Sequence, residues 1–415
     1  MSARTPLRPG DQLPEGWRWV RLGEIATVKS GGTPRRGNPS YWGGDIPWVK
    51  ISDITTFYVS STEETITEEG LTHSSAKLFP AGAILFTIFA TIGKVAILDI
   101  EAATNQAIAG IFNISESLDT QYLAHYLQFA GPQMANRGRG MAQDNINLTM
   151  LRSLEVLLPP LETQRRIVAW LDEAFSHLQA IKERHAQAER EAAALLPVKL
   201  TEVFGRAEEE GWPWVKLSSV VQHKTGVWGP EAPSAAKGFP VVRSTEIDGF
   251  IIKPANAAVR LVNVKNVENY RLQSGDILIN KSSGSPHLVG WPAIFLDPSG
   301  GRVYLFSNFM LRLRPVRSKV EPWYLLYYLH SPIARSAYLS AQATTSGLRN
   351  LRVRDFLNQL IPLPPLETQR RIVEEIEAFE KEVRKIRETQ NKSRRLMAKL
   401  EESVLTEAFQ PDRWI

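Results

Sequence analysis

The chain has 415 residues, of which 43% are hydrophobic and 22% charged, a composition typical of a folded protein with more than one domain. It contains no cysteine, which excludes disulfide bonds, thiol catalysis and cysteine-ligated zinc and fits a reducing cytoplasm. The net charge of +5 is compatible with nucleic-acid binding but does not require it.

Residues 1–12 have no apolar stretch like that of a secretory signal, and we expect them to form a flexible leader. A first globular domain is expected over residues 13–157. Its longest apolar run, "AGAILFTIFATIG" at 81–93, is too short to span a membrane and predicts buried strands. The segment "LDTQYLAHYLQFA" predicts an amphipathic helix, so this domain should contain both helix and sheet. A cytoplasmic location follows as an expectation.

The word "PPLETQRRIV" at 159–168 is repeated without change at 364–373. Each copy opens a segment, 158–205 and 363–410, that predicts a long helix, because a Pro-Pro pair and an early Glu precede a long stretch of helix-forming residues. A second globular domain is expected over 206–362 and a short tail over 411–415. The words "EGWRWVRL" (15–22) and "EGWPWVKL" (210–217) open the two domains. The chain is therefore a tandem duplication.

Both helices carry an apolar seam with heptad spacing, which favours a helical partner. The two helices can supply this partner for each other by pairing antiparallel, and His185 and Gln390 would then face each other near the middle. In the alternative, each helix lies on its own globular domain. The predicted seam residues are Ile167, Leu171, Leu178, Ile181 and His185 in the first helix, and Ile372, Ile376, Val383, Ile386 and Gln390 in the second.

Motifs that would indicate an enzyme do not occur in the sequence. The segment "IFATIGKV" (88–95) lacks the first Gly and the hydroxyl residue of a phosphate-binding loop, and no G-x-G-x-x-G follows a strand. The histidines are scattered and form no H-E-x-x-H motif, so we expect no metal site. This favours a binding protein. A nuclease or methyltransferase with unrecognised motifs, or a coiled-coil scaffold without a nucleic-acid role, remain the alternatives.

Over nearly its whole length the chain resembles the specificity (S) subunit of type I restriction–modification systems. The two "LPPLETQRRIV" words, the helices behind them, "SGGTPRRGNPSYWGGDIPWVKISDI" (30–54) and "NQAIAGI" (105–111) carry this resemblance. It implies an α+β fold with pseudo-twofold symmetry, in which two target-recognition domains are separated by two helices that form an antiparallel coiled coil. The second domain departs from the pattern because it lacks the "GGTPxxxNPxYWGG" loop.

The resemblance also implies a function without catalysis. Each recognition domain would bind one half of a bipartite, asymmetric target in double-stranded DNA, and the helices would set the gap and dock two methyltransferase subunits. Restriction subunits would join the same complex. S-adenosylmethionine, ATP and Mg would be bound only by these partner subunits, so we expect no cofactor on this chain.

Candidate DNA contacts lie in glycine-containing loops rich in Arg, Lys, Asn, Gln, Ser and Thr, the side chains that bind bases and phosphates. For each residue the alternative is a solvated turn, whereas Trp42 and Trp48 are expected in the core. The candidates are Thr33, Arg35, Arg36, Asn38, Tyr41, Arg137, Arg139, Gln143 and Asn145 in the first domain, and Lys281, Ser282, Ser283, His287, Thr344, Ser346, Arg349 and Asn350 in the second.

The repeated "ETQRR" block allows two interpretations. It is either a solvated first helical turn with internal ion pairs or a docking surface for the methyltransferase subunits. Its unchanged recurrence, where the rest of each helix has diverged, favours docking. The docking candidates are Glu162, Gln164, Arg165, Arg166, Glu367, Gln369, Arg370 and Arg371.

Overall fold

The computed structural model describes residues 11–89, 91–138, 146–234, 237–283, 288–298, 301–339, 342–345 and 348–415. The chain groups into two compact units: unit 1 comprises residues 1–185 and 392–415, and unit 2 comprises residues 186–391. Each unit therefore contains one globular domain and part of each long helix.

The first domain alternates short strands with a few helices. Its helices are α1 (Leu22–Ile25), α2 (Glu68–Thr72), α3 (Thr120–Gly138) and α4 (Leu148–Arg152). Its strands are β1 (Arg18–Arg21), β2 (Thr27–Ser30), β3 (Trp42–Val49), β4 (Tyr58–Val59), β5 (Glu64–Ile66), β6 (Leu78–Phe79), β7 (Ile84–Thr87), β8 (Val95–Leu98), β9 (Ala102–Thr104), β10 (Ile108–Phe112) and β11 (Glu155–Leu158).

The central sheet of the first domain has the strand order β2–β10–β7–β8–β4, and a second sheet has the order β5–β3–β9–β6. Successive side chains of β7 point to opposite faces, as the pleat of a strand requires. Ile84 and Phe86 join a core that includes residues of α3, while Leu85 packs in the core on the other face. The strand is thus covered on both sides, which explains its unbroken apolar sequence.

The second domain contains α6 (Pro322–His330), α7 (Pro332–Leu339) and α8 (Val353–Asn358). Its strands are β12 (Trp214–Lys216), β13 (Val221–Thr225), β14 (Phe239–Val242), β15 (Ile247–Asp248), β16 (Ile251–Ile252), β17 (Ala258–Arg260), β18 (Ile277–Asn280), β19 (Ser282–Ser283), β20 (Pro292–Phe295), β21 (Leu305–Phe306), β22 (Met310–Pro315), β23 (Gln342–Thr345), β24 (Leu348–Leu351) and β25 (Leu360–Pro362).

The second domain has the same arrangement as the first, with a central sheet accompanied by smaller sheets. The central sheet has the order β13–β22–β18–β20–β16–β15, and smaller sheets have the orders β17–β14–β21 and β19–β24–β23. In β18, Ile277 and Ile279 pack in the core with α6, and Leu278 packs in the core on the opposite face. The central strand is again buried on both sides.

The two long helices are α5 (Leu161–Gly205) and α9 (Leu366–Ala408). In unit 1, Ile167 and Leu171 near the start of α5 share a core with Phe409, just beyond the end of α9. Further along α5, Lys182 Nζ lies 2.6 Å from Glu401 Oε2. Residue numbers rise along one helix while they fall along the other, so these segments run antiparallel.

Unit 2 contains the corresponding contacts with the roles of the helices exchanged. Phe204 near the end of α5 shares a core with Ile372 and Ile376 near the start of α9. Glu375 Oε1 lies 2.7 Å from both Lys199 Nζ and Arg206 Nη2. The predicted α+β fold with two tandem domains and antiparallel long helices is therefore confirmed.

The predicted seam is buried towards the ends of the helices rather than along their whole length. Ile167, Leu171, Leu178, Ile372, Ile376 and Val383 are buried. Ile181 and Ile386 were placed in the same seam, but 46% and 42% of their surfaces are exposed, so the seam prediction was wrong for these two. His185 and Gln390 are half-buried, and their pairing stays a prediction.

Candidate nucleic-acid interface

The glycine-rich loop of the first domain is fixed by close backbone contacts. A Cβ on Gly31 would lie 2.4 Å from the carbonyl oxygen of Thr104, and one on Gly32 would lie 2.3 Å from the backbone of Ser75. The buried Trp48 donates its Nε1–H to the Gly32 carbonyl at 3.0 Å. Only glycine can come this close to the neighbouring backbone, because any larger residue would clash. Gly31 and Gly32 therefore hold the start of the loop formed by residues 33–41 in a fixed position.

Arg36 is the most constrained of the candidate DNA contacts in this loop. Its guanidinium carbon lies 3.9 Å from the ring centre of Trp42, and Nη1 lies 2.8 Å from Glu64 Oε2. About half of its side chain, 53%, is nevertheless exposed. A planar cation held by an aromatic ring and a carboxylate has lost much of its rotational freedom before any ligand arrives.

The other candidates in this loop differ in accessibility. Asn38 uses its Oδ1 to accept hydrogen bonds from the backbone and hydroxyl of Ser40, so this oxygen stabilises a turn. Thr33 donates its hydroxyl to Gln106. Arg35 is exposed, and Tyr41 is half-buried. Trp48 lies in the core as expected, whereas Trp42 is half-buried and its ring is perpendicular to that of Trp48.

A structural counterpart of this loop exists in the second domain, although its sequence motif is missing. Gly31 and Gly32 donate their N–H groups to Ile108 O at 3.0 Å and Thr104 O at 2.8 Å. Gly226 and Val227 donate theirs to Met310 O at 3.2 Å and Phe306 O at 2.8 Å. A Cβ on Gly226 would lie 2.1 Å from the Phe306 carbonyl oxygen. The backbone anchor is therefore duplicated, although the loop motif that follows it in the first domain is not.

This counterpart carries a second cation–aromatic pair. The guanidinium carbon of Arg260 lies 4.5 Å from the ring centre of Trp228, and Nη1 lies 3.7 Å from Glu231 Oε2. Trp228 is 42% exposed. These three residues were not among the DNA contacts predicted from the sequence. The Trp-Gly-Pro segment that follows Gly226 and Val227 could have indicated a loop with an exposed aromatic residue. Arg260, however, lies on β17, and no local sequence pattern connects Arg260 to this loop.

Two candidate segments of the second domain lie together on one small sheet. Strand β24 lies between β19 and β23, so Asn350 is opposite Ser282, and Arg349 is opposite both Ser283 and Thr344. The Ser282 hydroxyl donates to Asn350 Oδ1. Lys281 links the segments further, because its carbonyl accepts the Leu351 N–H at 2.8 Å. Sequence positions almost seventy residues apart thus form one polar surface, of which Arg349 is exposed.

Several candidates lie outside the described residues, namely Arg139, Gln143, Asn145, His287 and Ser346. Arg137 belongs to the last turn of α3. For all of these, a DNA contact stays a prediction.

The "ETQRR" block separates into exposed and buried residues. Glu162, Arg165, Arg166, Glu367, Arg370 and Arg371 are exposed at the start of α5 and α9. Gln164 and Gln369 are completely buried and hydrogen-bond within their own units. The docking role predicted for these two glutamines was therefore wrong, since a partner subunit cannot contact a side chain without exposed surface.

The described part of the chain contains no cluster of three or more His, Asp or Glu residues that could hold a metal ion. None of its described helices combines the length and apolar character needed to cross a membrane.

Comparison with known proteins gives a family that accounts for these features. The family model described as "Type I restriction modification DNA specificity domain" matches residues 14–190 and again 209–393. The chain belongs to this family. The predicted resemblance is thereby confirmed, and the two matches coincide with the two halves of the duplication.

Relatives match over most of their length. The chain is 24% identical to the type I restriction enzyme MjaIX specificity subunit of Methanocaldococcus jannaschii, over 85% of this chain and 84% of the relative. It is 22% identical to the EcoKI specificity subunit of Escherichia coli K12, over 96% and 89% respectively.

Two solved structures share the fold. One comes from a study of complex assembly and conformational transition of the type I R-M system, with a TM-score of 0.70, 24% identity, and coverage of 97% of this chain and 100% of that chain. The other is the HsdS subunit from Thermoanaerobacter tengcongensis, with a TM-score of 0.51, 26% identity, and coverage of 97% and 99%.

Proposed function

We propose that this chain is the non-catalytic DNA-recognition subunit of a type I restriction–modification complex. Each domain binds one half of a bipartite, asymmetric target in double-stranded DNA, and the two long helices set the gap between the halves. One observation carries this proposal: both domains have the same backbone anchor and, beside it, an arginine held by a tryptophan and a glutamate, yet the surrounding side chains differ. Two identical domains would select a palindrome, whereas related but different domains select two different half-sites.

The anchored loops support direct contact with DNA. Arg36 and Arg260 are planar donors that match the O6 and N7 acceptors of guanine in the major groove. Their Trp and Glu neighbours hold the guanidinium in place, which lowers the entropy lost on binding. The polar surface around Ser282, Arg349 and Asn350 adds groups suited to phosphates and adenine.

The exposed residues of the "ETQRR" blocks support the docking of two methyltransferase subunits, one on each helix start. These subunits would bind S-adenosylmethionine, and restriction subunits in the same complex would bind ATP and Mg, so this chain itself needs no cofactor. A fused DNA-modifying enzyme is not favoured, because relatives matched over most of their length are named specificity subunits.

Methylation of DNA by the reconstituted complex tests this proposal. The chain is purified alone and together with the methyltransferase subunits of its own system, and each preparation is incubated with DNA and labelled S-adenosylmethionine. We expect methyl transfer only with the partners present, at adenines that define two different half-sites a fixed distance apart. Methyl transfer by the chain alone, or methylation without a bipartite pattern, would contradict the proposal.

A further inference from the structure

The corner between β11 and α5 contains a buried amide that uses all its hydrogen-bonding groups within unit 1. Gln164 has no exposed surface. Its Oε1 accepts the N–H of Asp119 at 2.8 Å, and its Nε2 donates to the carbonyls of Ser117 and Pro159, both at 2.9 Å. The side chain therefore ties the helix start to the loop that precedes α3 and to the strand end that precedes α5.

The same network recurs in unit 2 around Gln369, which is equally buried. Its Oε1 accepts the N–H of Glu321 at 2.8 Å, and its Nε2 donates to Lys319 O at 3.1 Å and Pro364 O at 2.8 Å. The loop residues that bind the two glutamines differ in type between the units. The three hydrogen bonds nevertheless go to backbone groups at corresponding positions: one N–H and one carbonyl of the loop, and one carbonyl of the Pro-Pro pair. The network is thus retained while the surrounding sequence has changed.

Tyrosines on the adjacent helix reinforce each corner. In unit 1, the hydroxyls of Tyr122 and Tyr126 donate to the carbonyls of Leu157 at 2.5 Å and Glu155 at 3.0 Å on β11.

In unit 2, Tyr324 and Tyr328 donate to Pro362 at 2.8 Å and Leu360 at 3.2 Å on β25. These bonds attach the helix of the globular domain to the strand that leads into the long helix. Each corner is therefore fixed by directional bonds as well as by apolar packing.

Directional bonds matter here because a long helix amplifies small changes of angle. At 1.5 Å per residue, α5 is roughly 66 Å long, and a tilt of about 5° at its start would move its far end by roughly 6 Å. The rise per base pair is only about 3.4 Å. Apolar side chains can slide on each other at little cost, whereas a buried amide that loses its partners leaves several polar groups unpaired.

We infer that Gln164 and Gln369 are positioning residues that fix the direction in which each long helix leaves its recognition domain. They thereby set how strictly the protein selects the gap between its two half-sites. This inference rests on the proposed function and deepens it, because it assigns gap selectivity to two residues that need not touch DNA. It also explains why a glutamine stands at the same place in both repeated words.

Gap selectivity of the reconstituted complex tests the inference. After the wild-type target has been mapped, the complex is offered duplexes in which the gap is shortened or lengthened one base pair at a time. The variants Q164E and Q369E keep the size of the side chain but replace the two donated N–H bonds with a carboxyl group facing carbonyls. Q179E is the matched control, since Gln179 is exposed on α5 and donates to Glu183 in the same helix.

We expect Q164E and Q369E to lower the preference for the correct gap by at least about fivefold, while base preference within each half-site stays unchanged. Q179E should behave as wild type. A purely structural role would weaken binding to all gap lengths equally, so an unchanged gap preference in the folded variants would overturn the inference.

If the glutamate variants do not fold, the variants Y122F and Y324F test the inference in the same assay. Each removes one hydroxyl, and with it one of the hydrogen bonds that fix the corner between the globular domain and its long helix. A broadened gap preference in these variants supports the inference and a wild-type preference overturns it. If the wild-type complex binds DNA with no dependence on the gap at all, the proposed function fails instead.

Discussion

Single side chains show where the two domains share a plan and where they differ. Arg36 and Arg260 each lie over a tryptophan and beside a glutamate, but 53% of the Arg36 side chain is exposed and only 19% of the Arg260 side chain. They also come from different places in the sequence. Arg36 is part of the glycine-rich loop and was predicted as a DNA contact. Arg260 was not, because its neighbours in sequence give no hint of Trp228. A pair of this kind, whose two residues are brought together only by the tertiary structure, leaves no pattern in the local sequence.

Replacing Arg260 with lysine should weaken DNA binding at one half-site. R260K keeps the positive charge but loses the planar stack on Trp228 and the paired donors, so we expect about tenfold weaker binding to the complete target. Binding to duplexes that already lack that half-site should hardly change. The measurement is a titration of labelled duplexes with the reconstituted complex.

The control for R260K is R317K, which makes the same change at an exposed arginine that follows β22 in the same domain. Equal losses for the two variants, or a loss for R260K that is the same on intact and half-site-deficient DNA, would show that Arg260 contributes general charge and not recognition.

His330 should make the stability of the second domain depend on pH. Its Nε2 lies 2.9 Å from the Pro292 carbonyl, and its ring packs against Phe250 and Trp291. Burial lowers the pKa of His330 to about 3. Below an ordinary histidine pKa of about 6.5 the unfolded chain binds a proton that the folded chain does not, so the free energy of unfolding falls as the pH decreases towards 3.

Denaturant unfolding at several pH values measures this effect. We expect His330 to account for up to about 2 kcal/mol of destabilisation between pH 6.5 and pH 5, and H330N should remove that part of the slope while keeping a donor for Pro292. Burial also lowers the pKa of His125 in unit 1, so some slope should remain. An identical slope in H330N and wild type would show that His330 is not the responsible group.

At the scale of elements, the long helices could be predicted closely and the details of their packing could not. The Pro-Pro start, the absence of glycine and the heptad spacing indicated both helices. The exposure of Ile181 and Ile386 did not follow, since a seam pattern does not show where along the helix a partner lies. The burial of Gln164 and Gln369 was also not foreseen, because glutamine is normally exposed and their partners in the loops before α3 and α6 are distant in sequence.

The ends of the two helices should contribute equally to the stability of their units. Phe409 packs against Tyr122 and Tyr126 in unit 1, and Phe204 packs against Tyr324 and Tyr328 in unit 2. Both phenylalanines are almost completely buried. We expect F204A and F409A each to lower the free energy of unfolding by about 3–5 kcal/mol, because each leaves a cavity in an aromatic cluster.

Denaturant titration of the full chain measures these losses, and V198A is the control. Val198 lies on α5 six residues before Phe204 and is 65% exposed, so its truncation should change stability by less than about 0.5 kcal/mol. A loss for F204A or F409A as small as that for V198A would mean that the helix ends do not hold the units together.

At the scale of the whole molecule, duplication is the feature that connects sequence, fold and function. The repeated word "PPLETQRRIV" predicted two matched helices, and the family model matches both halves of the chain. Family and fold class were therefore predictable from the sequence. The duplicated anchor at Gly31 and Gly226 was not, because it is made by backbone hydrogen bonds that different side chains accommodate.

The central claim is that the two domains bind different halves of one DNA target at a fixed separation. Its most direct test is selection of duplexes from a fully randomised library by the reconstituted complex, followed by sequencing. The account predicts two enriched blocks of unlike sequence, separated by a gap of constant length and random composition. A single enriched block, two identical blocks in palindromic arrangement, or two blocks at variable separation would contradict it.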